Sequence, residues 1–307
     1  MSDTNNLTIS AVPGIRVGHW THESGTTGTT VITGPAEGMT ASGLVLGGGP
    51  ASREYALLDP ARMMSRIDAL LLTGGSAFGL AAADGVMDWL LEQDRGFETM
   101  GGRVPIVPAA AIFDLMVAGP GARPDAQAGY QAAAAATDVP VQEGSIGAGA
   151  GATAGSYLGF DRAVRTGIGS SALTVPAADG SVTVGALVVA NPVGDIYGSG
   201  GELLAGQGRP AAEIAGLFSG LPDRHNTTLI AVATDAPLEK SEAAALAVSA
   251  HVGMSRAVKP SHTPFDGDTA FVMSTGSGPT IPVASLAVLT QQTVMIAAQR
   301  AAAAGRR

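Results

Sequence analysis

The stretch Arg224–Asp235, RHNTTLIAVATD, passes from a polar turn directly into a hydrophobic run. Its Thr, Ile and Val residues favour a pleated, half-buried strand, and Asp235 closes the run as strands commonly close. Asn226-Thr227 at its head has two readings. Thr227 is either an ordinary strand-edge residue or, directly after Asn226, a nucleophile set inside the chain.

Similar runs recur on both sides. ASGLVLGG around Leu44 to Leu46, IDALLLTGG from Ile67, SVTVGALVVANP from Ser181 and TAFVMSTG from Thr269 are short and apolar and end in Gly, Pro or a polar residue. Each predicts a strand. Helices are predicted between them: GLAAADGVMDWLLEQDRG, with Leu80, Ala83, Met87, Leu90 and Leu91 on one face and a stop at Gly96; LEKSEAAALAVSAHVGMSRAVKP, after Pro237; and the C-terminal segment from Val283. The result is an α/β protein, with no strict strand-helix alternation to choose between a doubly wound sheet and a layered sandwich.

The chain has 307 residues, 46% hydrophobic and 14% charged, which describes a well-buried globular protein and excludes a disordered one. Glycine is abundant at 43 residues and aromatics make up only 4%, so backbones can approach closely and pockets should be walled by small side chains. A net charge of -9 with only 17 scattered Lys and Arg argues against a nucleic-acid partner. The absence of cysteine removes disulfides, thiolate catalysis and zinc-thiolate sites, and fits a reducing cytoplasm. MSDTNNLTIS lacks the charge and apolar pattern of a secretory signal, and the apolar C-terminal segment is broken by Gln291, Gln292, Gln299 and Arg300, so no membrane span is expected.

Two glycine-rich stretches need a choice. GSIGAGAGATAGSYLG, Gly144 to Gly159, is either a flexible linker or backbone laid tightly against something else; it lacks the Pro and charge of most linkers. GSGGELLAGQGRPAAEIAGLFSGLPDRHN, Gly198 to Asn226, reads as an exposed connection feeding the Thr227 strand.

Candidate chemistry narrows quickly. IDALLLTGGSAFG has strand, glycine turn and helix in order, yet lacks the Lys-Ser/Thr of a P-loop and the full dinucleotide spacing. Ser76 lies on that turn without the flanking glycines of a nucleophile elbow. His19 and His22 are three apart with no third ligand nearby, and His225, His251 and His262 form no metal motif, so no metal site is expected. FDGDTAF, with Asp266 and Asp268, lacks the other oxygens of a calcium loop; it is a turn into a strand or a carboxylate pair serving a nucleophile. A cut between Asn226 and Thr227 would give Thr227 a free α-amine, with a pKa of about 8, able to act as base for its own hydroxyl.

Six stretches in order, AVPGIRVGH, LTGGSAFGLAAADGVMDWL, GSIGAGAGA, VVANPVGDI, NTTLIAVATDAPL and HTPFDGDTAF, resemble the self-processing aminopeptidases of the L-aminopeptidase/D-esterase type, a family with β-aminopeptidases and 6-aminohexanoate (nylon) oligomer hydrolases. The resemblance implies one catalytic domain over residues 1–307, folded as a four-layer αββα sandwich and self-cleaved into chains 1–226 and 227–307 that stay together. It further implies a homo-oligomer, a tetramer of cleaved heterodimers, acting on small peptides, amino-acid amides or amide oligomers without a cofactor. Carried over position by position, Thr227 is the nucleophile, Asn191 helps hold the oxyanion, and Asp266 and Asp268 orient Thr227 and handle protons. Asn-Thr at the cut and DGDT resemble the nylon-oligomer branch most. Two positions depart from the family: Phe113 stands where a Tyr is common, and Ser156 where many have Lys, with the cation Arg165 further downstream; both are candidates for the substrate pocket. Ornithine acetyltransferases share this kind of fold and a Thr nucleophile, so an acyltransferase is the alternative, followed by an uncleaved, non-catalytic relative.

Overall fold

The computed structural model describes residues 6–217 and 226–305, so Arg224 and His225 of the opening stretch lie outside the described residues. The strands of the two main sheets are, in chain order, β1 (Arg16–Thr21), β2 (Gly28–Thr33), β3 (Met39–Val45), β4 (Ala51–Arg53), β5 (Arg66–Ile67), β6 (Ala69–Thr73), β7 (Ala109–Ala111), β8 (Ile168–Ala177), β9 (Gly180–Val189), β10 (Leu229–Thr234) and β11 (Thr269–Ser274). Four helices cover them: α1 (Ala82–Glu92), α2 (Ala126–Ala134), α3 (Lys240–Ala257) and α4 (Val283–Ala304). The first sheet runs β1-β2-β6-β7-β4 and the second β8-β9-β10-β11-β3-β5. Only β6–β7 and β10–β11 pair in parallel within these sheets.

Side-chain alternation explains the layering. Along β6, Leu70 and Leu72 point into a core shared with the second sheet, while Ala69 and Leu71 face α1 and α2. Along β10, Leu229, Ala231 and Ala233 meet that shared core, and Ile230 and Val232 pack beneath α3 and α4. Both faces of these strands are buried, which is why they read as unbroken apolar runs. Each large side chain so enclosed contributes about 1.5–3 kcal/mol. The order is helices, sheet, sheet, helices: a four-layer αββα sandwich.

The differences from expectation have local causes. The first predicted helix opens as a 3₁₀ segment, Ser76–Ala81, and its α-helical part stops at Glu92 because Asp94 adopts a left-handed φ of 55° before Gly96 is reached. Val86 points inward with Ala83 and Leu90, while Leu91 is exposed. The helix after Pro237 is sharpened by a capping box between Glu239 and Glu242. Residues 147–157 are wholly buried, which overturns the linker reading: a Cβ on Gly149 would lie 2.6 Å from the Gly167 carbonyl carbon. Within 198–226, Leu203–Ala205 forms a short strand and Ala211–Leu217 a helix with Ile214 buried, so this is more than a bare connection; 218–225 lie outside the described residues. Thr227 and Thr228 precede the strand, which begins at Leu229. Among the described residues, no helix is long and apolar enough to cross a membrane.

Candidate active site

The parallel register of β10 and β11 brings the candidate residues together. Leu229 pairs with Thr269, and three residues further out Asn226 bridges to Asp266, so Thr227 faces Gly267 and Thr228 faces Asp268. On the other side of β10, antiparallel β9 pairs Val189 with Leu229 and so leads Asn191 up to Thr227. From the first sheet, the ends of β6 and β7 bring Ser76, Ala111 and Phe113 to the same place, with Gly49 and Ala51 beside them. Thr227 thus stands between the two sheets.

The Asn226–Thr227 bond is held from several directions. Thr227 Oγ1 donates to the carbonyl oxygen of Asn226 at 2.6 Å. The Gly267 N–H donates to the same oxygen at 2.8 Å, so two donors polarise that carbonyl. The Thr227 N–H donates to the Asn191 carbonyl oxygen at 2.8 Å. Asn226 Nδ2 donates to that oxygen at 3.2 Å, and Asn226 Oδ1 accepts from Ser156 Oγ at 2.7 Å. The Asn191 side chain accepts the Thr153 N–H at 3.0 Å and donates through Nδ2 to the Phe113 carbonyl oxygen at 3.2 Å. Asn226 and Thr227 are 1% and 3% exposed, so the bond is nearly dry.

The two carboxylates flank this bond, and their hydrogen bonds run to its neighbours. Asp268 Oδ1 accepts the Thr228 N–H at 2.7 Å. Asp266 accepts the Val193 N–H at 3.1 Å on Oδ1, and on Oδ2 the Thr263 N–H at 2.9 Å and hydroxyl at 2.6 Å. Burial, and after it the charge of Asp268, push the Asp266 carboxyl up to about 7 against those hydrogen bonds. A carboxyl poised there can hold or release a proton near neutral pH.

Beside Thr227 opens a cleft of about 180 Å³, lined by Gly49, Ala51, Ser76, Ala111, Phe113, Asn226 and Thr227. Its walls are short side chains apart from Phe113, as the low aromatic content suggested. Phe113 therefore lies at the cleft, whereas Ser156 is fully buried behind Asn226 and is not part of the lining. Ser76 has a left-handed φ of 53° on a turn tied by the Gly75 N–H to Asp114 Oδ1 at 2.7 Å. His19 and His22 are elsewhere, on Thr30 and Ser24 hydroxyls; burial lowers the His19 ring to about 4. His225 lies outside the described residues. Sequence reasoning passed over Gly267 and considered His262 only as a metal ligand. The only sign of Gly267 was its place between two carboxylates.

The profile of peptidase family S58 matches residues 7–306. The chain is 40% identical to an uncharacterized aminopeptidase of Mycobacterium tuberculosis over 96% of its own length and 90% of the relative's. It is 31% identical to the 6-aminohexanoate-oligomer endohydrolase of Paenarthrobacter ureafaciens, covering 86% of this chain and 73% of that one. Among solved structures, a Burkholderia sp. beta-aminopeptidase superposes with a TM-score of 0.72 at 24% identity, over 97% of this chain and 86% of that one, which shows a common fold.

Proposed function

The chain belongs to peptidase family S58, and from that premise we propose that it cuts itself between Asn226 and Thr227 and then uses Thr227 as an N-terminal nucleophile. It is a hydrolase acting on amide bonds, as its family and curated relatives are. The observation that carries the proposal is the 2.6 Å contact of Thr227 Oγ1 with the Asn226 carbonyl oxygen, itself polarised by Gly267. Addition of Oγ1 to the carbonyl carbon forms a C–O bond, the C–N bond breaks, and Thr227 N gains the proton that Oγ1 loses. Water then hydrolyses the ester to an Asn226 carboxylate and a free Thr227 amine. In turnover the amine takes the hydroxyl proton, Thr227 forms an acyl-enzyme with the substrate and water releases it. Gly267 N–H and the Asn191 amide stabilise the oxyanion, and Asp266 and Asp268 hold the Thr227 segment and buffer its protons.

The cleft's small walls suit small peptides, amino-acid amides or 6-aminohexanoate oligomers, with Phe113 against the acyl chain. A homo-oligomer, a tetramer of cleaved heterodimers, and a cytoplasmic location complete the reading. Exposed Val248, Val252 and Val288 on the outer helices support the first, and the lack of cysteine supports the second. Denaturing mass spectrometry should find chains 1–226 and 227–307, and Thr227→Ala should stay whole and inactive on a panel of these amides. A wild-type chain that stays intact on long incubation, or an active Thr227→Ala, overturns the proposal.

A further inference from the structure

His262 lies six residues before Asp268 and touches none of the reacting atoms. Its φ of 55° is left-handed, an uncommon conformation for a residue with a Cβ. That backbone brings two donors to one atom: the His262 N–H at 3.1 Å and ring Nδ1 at 2.9 Å both meet Asp268 Oδ2. The other oxygen of the same carboxylate holds the Thr228 N–H at 2.7 Å. Asp268, 0% exposed, is therefore a rigid link between the imidazole and the peptide bond that follows Thr227.

The far side of the ring can change its proton. His262 Nε2 is 3.1 Å from Ser255 Oγ, which also lies 3.0 Å from the His251 carbonyl oxygen and accepts from Ser261 Oγ at 2.9 Å. A serine hydroxyl has one proton. Donated to His251, it obliges Nε2 to supply its own proton, making an imidazolium; turned to Nε2, it leaves the ring neutral. Both states keep the same heavy-atom positions. The titratable groups acting on the ring are Asp268, Asp266 and His251, whose ring stands edge-on at 4.7 Å. Burial alone would lower the His262 ring, but its hydrogen bond to Asp268 and the charges of Asp268 and Asp266 outweigh this and hold it above the usual histidine value.

We propose that His262 is a positioning residue for the Thr227 reaction: through Asp268 it fixes the Thr227–Thr228 peptide beside the scissile carbonyl, with a grip that tightens when the imidazole is protonated. This rests on Thr227 being the nucleophile. The grip matters because a displacement of about 1 Å at a reacting atom costs about a hundredfold in rate.

Self-cleavage is the cleanest readout, since the Thr227 amine does not exist before the cut and its titration cannot intrude. His262→Asn keeps a donor near the Nδ1 position and tolerates the left-handed backbone, but does not titrate; His262→Phe keeps a ring and loses the donor. The time course of cutting is followed by intact mass across about pH 5 to 9, a range spanning histidine titration, with thermal unfolding as the check on folding. Wild type should slow as the pH rises through the ring's titration. His262→Asn should cut within about tenfold of wild type at neutral pH and lose that slowing, while His262→Phe should be more than about tenfold slower throughout. An unchanged pH profile in His262→Asn, or wild-type rates in a folded His262→Phe, overturns the proposal; if His262→Phe does not fold, the His262→Asn profile decides alone. A wild type that never cuts overturns the nucleophile assignment, and the role of His262 falls with it.

Discussion

Gly267 serves the Asn226–Thr227 bond both by what it carries and by what it lacks. Its N–H polarises the Asn226 carbonyl, and a Cβ at this position would stand 2.6 Å from Thr227 Oγ1 and 2.7 Å from the Gly49 carbonyl oxygen. Gly267→Ala must therefore displace the hydroxyl or part the two loops, and is expected to slow self-cleavage by about a hundredfold in a protein that still folds. An intact-mass time course beside a melting curve checks both halves of that expectation. The neighbouring Asp266 makes a second prediction. Its folded-state carboxyl is raised to about 7, so below that pH the folded chain binds a proton that the unfolded chain, titrating at about 3.9, has already released. This group's contribution to stability is greatest in acid and is lost as the pH rises through about 7. His262, also raised, acts with the same sign: its contribution is full below about 6.5 and fades through its higher folded value. In Thr227→Ala, expected to stay whole, unfolding free energy from urea titrations should decline between about pH 6.5 and 8, by at most about 1.4 kcal/mol per unit for each proton, above the range in which His19 and His251, lowered by burial, act with the opposite sign. A flat profile over that interval would show that Asp266 has already released its proton in the folded state and that the His262 ring is not held above its usual value.

At the scale of elements, the most apolar strands and three of the four covering helices were legible; β1, β2, β4, β7, β8 and α2, and the mutual placement of all of them, were not. The apolar runs at Ala69–Thr73, Leu229–Thr234 and Thr269–Ser274 announce strands because each is buried on both faces, and Pro237 marks the approach to α3, whose capping box of Glu239 and Glu242 the sequence reading did not use. No property of those runs says that β10 and β11 are parallel neighbours in the register that sets Thr227 opposite Gly267. Thr227, Asn191, Asp266 and Asp268 became visible as a set through resemblance; spacing alone left Asn226-Thr227 an ordinary dipeptide. The glycine-rich stretch from Gly144 was ambiguous for a related reason. Linkers and tight packing use the same residue, and only partners such as Thr30 and Ile168, distant in sequence, decide between them. The same principle makes the first helical layer testable. A Cβ on Gly129 of α2 would overlap the Ala82 carbonyl oxygen, and one on Gly85 of α1 would overlap that of Ala126, so the two helices touch backbone to backbone. Gly129→Ala is expected to push them apart and cost about 1–3 kcal/mol, while the folded fraction still cuts at Thr227, since this layer lies outside the first sheet and away from the cleft. Chemical denaturation measures the first effect and intact mass the second.

For the whole molecule, the position of the proposed cut within the sandwich decides what cleavage could do. Residues 227–307 supply β10, β11, α3 and α4, while β9 and β3, which flank the β10–β11 pair on either side, come from residues 1–226. Residues 227–307 are thus inserted into the middle of the second sheet and also form the helical layer that covers it. Val184, Ala186 and Val188, before the proposed cut, share one core with Ile230, Val232, Leu246 and Val294 after it. Pulling them apart would expose that core on both pieces and unpair two strand edges at once, which breaking a single peptide bond does nothing to offset. A cut there would therefore release a terminus locally without loosening the fold. Cleaved protein is expected to run through native size-exclusion chromatography at the volume of the uncut Thr227→Ala variant, to hold the two chains in equal amounts, and to unfold in one cooperative transition. Loss of the 227–307 chain on a native column, or separate melting of the two chains, would mean that the second sheet is not the continuous layer that binds them.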